Sequence, residues 1–355
     1  MGGVKGVTIV VPLDFSENWR ALVAALLALF AFEYSAVRMS DKNATEVVQA
    51  DADGIAKAAR ILKAGGLVAV PTETVYGLAA RADSAEAVAK IYAAKGRPDF
   101  NPLIVHVKDL AQASSLAAFD DRAHDLVERF WPGPLTLVLP LRDEARVAGA
   151  VSAGLPTVGL RQPSHRAMRA LLDQTGFPLA APSANRSEGI SPTLPRHVID
   201  SLGEACPMVL DGGACQKGIE STIVAVREDC RWSLLRPGPI SKETLFRILG
   251  EENLVAEEGI EAPGQMARHY SPGKPMRISA SEAERDEFMI GFGSVVGDCT
   301  LSRTGDLNEA AARLYDCLHQ AAASDKPRIA VAPIPSGAVG MAINDRLRRA
   351  AVPVS

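Results

Sequence analysis

The sequence contains few cysteines, and none of them is arranged for metal binding. They are Cys206, Cys215, Cys230, Cys299 and Cys317, an odd number without any CxxC pair. Structural zinc sites commonly use such pairs, and disulfide frameworks use an even number of cysteines. The cysteine pattern therefore predicts reduced thiols and a cytoplasmic protein, and it predicts no metal site built from cysteines.

An excess of positive charge is also lacking. The 38 Lys and Arg residues are outnumbered by 42 Asp and Glu residues, which gives a net charge of −4. No global field therefore attracts the chain to nucleic acid or to an anionic membrane. A phosphate ligand would have to be held by a local basic cluster.

Long hydrophobic runs are missing as well. An apolar run covers residues 21–32, between Arg20 and Glu33, and is too short to cross a bilayer. A signal peptide can have so short a core, and export is a minor alternative. Met39 is followed by a polar run and then an ordinary helical pattern. We therefore expect residues 1–38 to be an upstream extension, untranslated or disordered, and we expect no membrane association.

Helix-like and strand-like segments alternate along the rest of the 355-residue chain. Ile55, Ala59 and Leu62 are spaced for one helical face, and residues 67–70 then form a buried strand pattern. Such alternation predicts an α/β fold, and the length predicts about two domains. Prolines and glycines within 262–275 disfavour helix and strand, which predicts an interdomain linker before a shorter α/β pattern.

The first motif with functional potential covers residues 71–78, at the end of a buried strand. Thr72, Glu73 and Thr74 place two hydroxyls and a carboxylate there, where open α/β sheets commonly hold ligand groups. The same residues also suit the start of a helix as capping groups. The local pattern leaves these two interpretations equally open.

A second motif, residues 95–103, places Lys95 and Arg97 two residues apart in a loop with Gly and Pro. The compact charge of Lys95 and the planar guanidinium of Arg97 could together donate hydrogen bonds to neighbouring phosphoryl oxygens. The more ordinary alternative is a solvated basic loop.

Weaker signals follow at other strand ends. Residues 182–187 combine hydroxyl and amide side chains in a turn, which can hold a ribose or a phosphate. Residues 218–223 place hydroxyls before a strand, and Arg236 ends another strand. Arg161, also at a strand end, is suited to binding a carboxylate, with a surface ion pair as the alternative. His106 is either an ordinary core histidine or a substrate contact.

Taken together and in order, these motifs resemble those of the Sua5/YciO/YrdC family, and the linker and tail resemble its two-domain Sua5 branch. The resemblance implies a YrdC-like twisted mixed sheet with helices at 44–255, a linker or lid at 256–276, and a smaller Rossmann-like α/β domain at 277–355. It also implies L-threonylcarbamoyladenylate synthase activity, a nucleotidyl transfer that uses ATP, L-threonine and bicarbonate.

The resemblance further implies which residues form the site. Lys95 and Arg97 are the implied catalytic residues. L-Threonine would be bound by Thr74, His106, Arg161, Ala181 and Ser221. ATP would be bound by Arg97, Asn101, Thr157, Ser183, Asn185, Ser191, Arg236 and His269, with Mg²⁺ accompanying ATP. His269 and Tyr270 belong to the linker, which is expected to fold over the nucleotide.

Three other functions remain as alternatives. A YrdC-like domain can present a basic concavity to double-stranded RNA or tRNA, although the net charge of −4 disfavours this. A second alternative is carbamoyl transfer in hydrogenase maturation, which would require CxxC pairs that this chain lacks. A third is a regulatory protein that binds a nucleotide and consumes no ATP. The synthase interpretation implies, as partners, the proteins that transfer the threonylcarbamoyl group to tRNA.

Overall fold

The computed structural model describes residues 45–98, 100–227, 231–252, 261–263 and 269–351. The predicted extension at 1–38 lies outside the described residues. Among these residues, no helix combines the length and apolarity that a bilayer crossing requires.

Fourteen strands are described. They are β1 (Glu46–Gln49), β2 (Val68–Pro71), β3 (Tyr76–Arg81), β4 (Ile104–His106), β5 (Leu135–Pro140), β6 (Thr157–Arg161), β7 (Leu179–Ala180), β8 (Met208–Asp211), β9 (Thr222–Val226), β10 (Trp232–Arg236), β11 (Met276–Arg277), β12 (Glu287–Gly291), β13 (Cys299–Thr300) and β14 (Arg328–Val331).

The helices alternate with the strands. They are α1 (Ala52–Lys63), α2 (Ala85–Lys95), α3 (Leu110–Ser114), α4 (Asp121–Phe130), α5 (Gly149–Ser152), α6 (Arg166–Thr175), α7 (Pro195–Leu202), α8 (Lys242–Leu249), α9 (Leu307–Ala323) and α10 (Gly340–Ala350), with a short 3₁₀ turn at Gly203–Ala205.

The strands form two sheets. The larger has the order β1-β8-β2-β3-β7-β4-β6-β5-β9-β10 and mixes parallel with antiparallel pairs. The smaller has the order β11-β14-β12-β13 and is entirely parallel. The predicted α/β fold, with a mixed sheet followed by a smaller α/β sheet, is confirmed.

Short side chains start the helices of the larger sheet. Asp51 accepts a hydrogen bond from the Gly54 amide at the start of α1, and Ser84 accepts one from Ala87 at the start of α2. Such caps satisfy amides that have no partner inside a helix. Gly96 ends α2 at φ 58°, a left-handed conformation that glycine adopts without strain. The chain thereby leaves α2 directly into the loop of Arg97.

The hydrophobic core follows the two sheets. Buried Leu, Ile, Val and Ala side chains cover both sides of the large sheet, and a separate cluster packs α9 and α10 against the small sheet. Val75, Ile190 and Ile219 belong to this second cluster although they lie in loops of the large sheet. The two sheets are therefore joined by apolar packing next to those loops.

The segment after β2 shows that Thr72, Glu73 and Thr74 do not cap a helix. No helix follows residues 71–75, because β3 starts at Tyr76 and pairs antiparallel with β2. Thr72 Oγ1 donates to the Val75 carbonyl at 2.7 Å and accepts from the amides of Thr74 and Val75. The helix-capping interpretation is therefore wrong, and these residues stabilise a β-turn.

Candidate active site

One cavity collects polar groups from the ends of several strands. Eight of the predicted site residues line it: Thr74, Arg97, His106, Arg161, Ala181, Ser183, Arg236 and His269. The other lining residues were not predicted: Thr72, Val75, Gly77, Ile104, Pro182, Glu220 and Pro263. Thr72 and Glu220 belong to the motifs at residues 71–78 and 218–223. The local sequence pattern did not indicate that these two residues, rather than their neighbours, would line a cavity.

Arg161 is held at the end of β6 by three acceptors. Its Nε donates to the Gly133 carbonyl at 3.2 Å, Nη1 to Thr74 Oγ1 at 2.9 Å and Nη2 to Glu73 Oε1 at 2.6 Å. An arginine has five N–H donors, so two of them remain for a ligand in the cavity. Burial alone would raise the pKa of Glu73, but the charge and hydrogen bond of Arg161 outweigh it and lower the pKa. Glu73 is therefore a carboxylate at neutral pH.

Two histidines face the same cavity, the buried His106 and the half-buried His269. Burial, and then the nearby charge of Arg161, lowers the pKa of His106 to about 3. Burial likewise lowers the pKa of His269 to about 3. Nδ1 of each ring is buried without a hydrogen-bond partner among the described residues. Both rings are neutral at physiological pH and offer a polar atom to a ligand.

Lys95 and Arg97 are positioned differently from each other. Lys95 Nζ donates at 2.5 Å to the carbonyls of Ser183 and Asn185, so this side chain holds the turn after β7. Burial, and then the charge of Arg97, lowers the pKa of Lys95. Arg97 lines the cavity while bonding the Asn101 and Pro102 carbonyls. Burial lowers the pKa of Arg97 to about 10, which leaves it cationic at neutral pH.

Arg236 and Ser221 form a further wall. Arg236 Nε donates to the Ser221 carbonyl and Nη2 to the Ser221 hydroxyl, both at 3.1 Å. The Ser221 hydroxyl also lies 2.7 Å from Thr136 Oγ1. Ser221 is fully buried behind Arg236 and does not line the cavity itself. Its contact partner is thus a residue predicted to bind ATP.

The remaining predicted residues do not line the cavity: Lys95, Asn101, Thr157, Asn185, Ser191 and Ser221. Asn185 bonds the Arg186 and Gly189 carbonyls, and the Ser191 hydroxyl donates to Glu220. Thr157 starts β6, whereas Arg161 ends it, a separation of roughly 13 Å at the usual rise per strand residue. Their assignments stay predictions.

No dedicated metal site is formed by the described residues, since none of their His, Cys, Asp and Glu side chains cluster in a group of three or more suited to an ion. Among the described residues, Glu220 is the acidic side chain that lines the cavity. Its oxygens already accept hydrogen bonds from Ser191, Tyr315 and Arg346. Glu220 therefore does not fit the role of a resident Mg²⁺ ligand.

Two family models match the chain. Residues 60–238 match the Sua5/YciO/YrdC model, described as telomere recombination, and residues 240–352 match the C-terminal domain of threonylcarbamoyl-AMP synthase. The fold and the two matches define a member of the Sua5/YciO/YrdC family. Within that family the chain belongs to the two-domain Sua5 branch.

Individual relatives agree with this assignment. The chain is 38% identical to a Bacillus subtilis threonylcarbamoyl-AMP synthase, with 87% of this chain and 96% of the relative covered. It is 35% identical to the Pyrococcus abyssi enzyme of the same name, with 82% and 92% covered. The crystal structure of P. abyssi Sua5 complexed with L-threonine superimposes with a TM-score of 0.79 at 33% identity, covering 86% of this chain and 97% of the other.

Proposed function

We propose that this protein is a threonylcarbamoyl-AMP synthase, a nucleotidyltransferase that forms threonylcarbamoyl-AMP and pyrophosphate from L-threonine, bicarbonate and ATP. The observation that carries the proposal is the cavity where Arg97, Arg161 and Arg236 converge beside two neutral histidines. Three cations at one cavity fit a carboxylate and a triphosphate together, and the named relatives support this substrate pair.

The threonine half of the site is assigned to the Arg161 side. Its two remaining N–H donors can bind the amino acid's carboxylate, and Thr74 and His106 offer polar atoms for the hydroxyl and the amine. Glu73 fixes the guanidinium in place. The amine of threonine then attacks bicarbonate to give a carbamate and water.

The nucleotide half is assigned to Arg97 and Arg236, with Lys95 holding the Ser183 turn between the two halves. A carbamate oxygen attacks the α-phosphorus of ATP, and the bond to the β-phosphate oxygen breaks, which releases pyrophosphate. Positioned cations stabilise the charge that develops on the phosphate oxygens. Mg²⁺ enters as part of the ATP substrate, since magnesium commonly stays bound to phosphates and water.

The mixed anhydride product hydrolyses in water, so the cavity has to be shielded. His269 and Pro263 come from the predicted linker and line the cavity, which supports a shielding role for these two residues. The product is consumed by proteins that transfer the threonylcarbamoyl group to tRNA. The four described cysteines, which are free and buried, support a reducing compartment such as the cytoplasm.

The test is release of pyrophosphate from ATP and Mg²⁺ with labelled bicarbonate, in the presence and absence of L-threonine. We expect release and label incorporation only with threonine, and expect both to be abolished in Arg161→Ala but kept in Arg129→Ala, a change at an exposed arginine. Release without threonine would contradict the proposal. No release, together with retention of double-stranded RNA, would instead favour a binding module.

A further inference from the structure

The carboxylate of Glu220 is held from a distant part of the chain. Glu220 precedes β9 and lines the cavity, and its Oε1 accepts from Ser191 Oγ at 2.5 Å. Its Oε2 accepts from the Tyr315 hydroxyl at 2.7 Å and from Arg346 Nε at 3.2 Å. Tyr315 lies on α9 and Arg346 on α10, the helices that pack on the small sheet.

Arg346 touches three parts of the site's frame. Beside its ion pair with Glu220, its Nη1 donates at 2.5 Å to the carbonyl of Pro237, the residue after Arg236. Its guanidinium carbon lies 5.7 Å from the centre of the Tyr270 ring, and Tyr270 follows His269. The Arg346 side chain is 0% exposed. A single buried cation thus contacts the neighbours of two residues assigned to the nucleotide.

The loop before Glu220 leaves little room for rearrangement. Gly218 has φ +67°, and a Cβ on it would lie 2.4 Å from Ala312 Cα in α9. Tyr270 also stacks on Tyr315, with ring centres 5.5 Å apart. The loop of Glu220, the residue after His269 and the two helices therefore form one packed unit.

The charges explain why this unit matters for a nucleotide. Glu220 is a negative charge in the wall that also contains Arg97 and Arg236. An uncompensated buried carboxylate would repel a triphosphate and would be costly to keep ionised. Arg346 supplies the opposite charge from behind the wall, where it cannot compete for the ligand.

We propose that Arg346 is a positioning residue for the nucleotide half of the site: it neutralises Glu220 and fixes the Arg236–Pro237 corner, so that α10 completes the ATP site from outside the large sheet. This inference rests on the proposed function for the identity of the ligand. Threonine is bound on the Arg161 side, which Arg346 does not contact, so the two substrates should respond differently.

The test compares four variants: Arg346→Met, Arg346→Lys, Arg346→Met with Glu220→Gln, and Arg348→Met as control. Arg348 is an exposed arginine two residues further along the same helix. For each, the dissociation constants of a non-hydrolysable ATP analogue and of L-threonine are measured by calorimetry, together with both KM values and the unfolding midpoint.

We expect Arg346→Met to weaken binding of the ATP analogue by about tenfold or more, with threonine binding within about twofold. Removing the unpaired carboxylate should restore most of this loss in the double variant. Arg346→Lys keeps the charge but cannot reach both Glu220 and Pro237, so an intermediate loss of about threefold is expected.

Analogue binding in Arg346→Met equal to that in Arg348→Met would overturn the inference, as would equal weakening of both substrates without recovery in the double variant. If Arg346→Met does not fold, Arg346→Lys decides, and unchanged analogue binding there contradicts the inference. Failure of the wild type to release threonine-dependent pyrophosphate, with analogue binding still dependent on Arg346, would sink the proposed reaction but not the positioning role.

Discussion

Arg161 Nη2 lies 2.6 Å from Glu73 Oε1, and both side chains are only 4% exposed. The predicted ligand for the amino acid's carboxylate is therefore already paired with a carboxylate of its own protein. The pair fixes the orientation of the guanidinium, which also bonds Thr74 and Gly133, while two of its donors remain for a substrate. Arg161 is thus preorganised before threonine binds, which lowers the entropic cost of ordering its side chain on binding.

The first prediction concerns this pair. Arg161→Lys should retain a positive charge beside Glu73 but lose the planar set of donors, so threonine binding should weaken by about tenfold or more while the fold is retained. Arg161→Ala should in addition lower the free energy of unfolding by about 3–5 kcal/mol, because it leaves Glu73 buried and unpaired. Calorimetric titration with L-threonine and urea denaturation measure the two effects. Threonine affinity unchanged in Arg161→Lys would contradict the assignment.

The second prediction concerns Lys95, whose Nζ donates to the Ser183 and Asn185 carbonyls. Lys95→Met should release this turn, and we expect the KM for ATP to rise by about tenfold or more, with a smaller change in the KM for threonine. Initial rates of pyrophosphate release over both substrates measure this. Lys90→Met on the exposed side of the same helix is the control. A loss of kcat alone, with both KM values unchanged, would instead indicate that Lys95 acts in the chemical step.

Much of the fold was predictable from hydrophobic periodicity, because the helices α4 and α9 and the strand β6 each keep one regular pattern. The turn at residues 72–75 was not, since the same Thr and Glu spacing suits a helix cap and a β-turn. The choice is made by strand pairing: β3 bonds β2, its neighbour along the chain, on one side and the distant β7 on the other. A local sequence window contains β2 but not β7, so it does not show that β3 is paired on both sides.

The candidate site was partly predictable for a similar reason. Arg161 and Arg236 lie at strand ends, and the ends of strands in one sheet can converge. Two arginines at such positions indicated a site for an anionic ligand. The importance of Glu220 depends on Arg346, 126 residues further along the chain. The hydroxyl of Ser221 bonds Arg236 and lies beside Thr136, and its predicted contact with threonine stays a prediction. Glu220 and Ser221 both precede β9, and packing between the two sheets decides which of the two side chains lines the cavity.

The third prediction is a pH dependence of stability. The pKa of His106 and that of His269 are lowered to about 3 by burial, against about 6.5 in the unfolded chain. Below pH 6.5 the unfolded state therefore binds more protons than the folded state, and the free energy of unfolding falls as the pH falls. The slope approaches about 1.4 kcal/mol per pH unit for each histidine well below pH 6.5.

Urea denaturation at pH 7.5 and pH 5.5 measures this loss, at values above the range in which carboxylates titrate. His106→Gln, which cannot be protonated, should reduce the difference between the two pH values, whereas His124→Gln at an exposed position should retain it. A difference that is the same in His106→Gln and in the wild type would show that His106 accepts a proton equally well in both states.

The last prediction concerns the contact between the Glu220 loop and α9. Gly218 combines φ +67° with a position where an added Cβ would lie 2.4 Å from Ala312 Cα and 2.5 Å from the Ala311 carbonyl oxygen. Gly218→Ala should therefore lower the free energy of unfolding by about 2–4 kcal/mol through backbone strain and overlap. Gly154→Ala is the matched control, since Gly154 has φ +78° but nothing within 4 Å of the added Cβ.

The control should lose only the strain component, about 1–2 kcal/mol. Because the overlap pushes α9 away from Glu220, Gly218→Ala should also raise the KM for ATP, which Gly154→Ala should leave unchanged. Equal stability losses in the two variants would mean that the loop yields without moving α9. In that case Tyr315 would keep its hydrogen bond to Glu220, and the KM for ATP should not change in either variant.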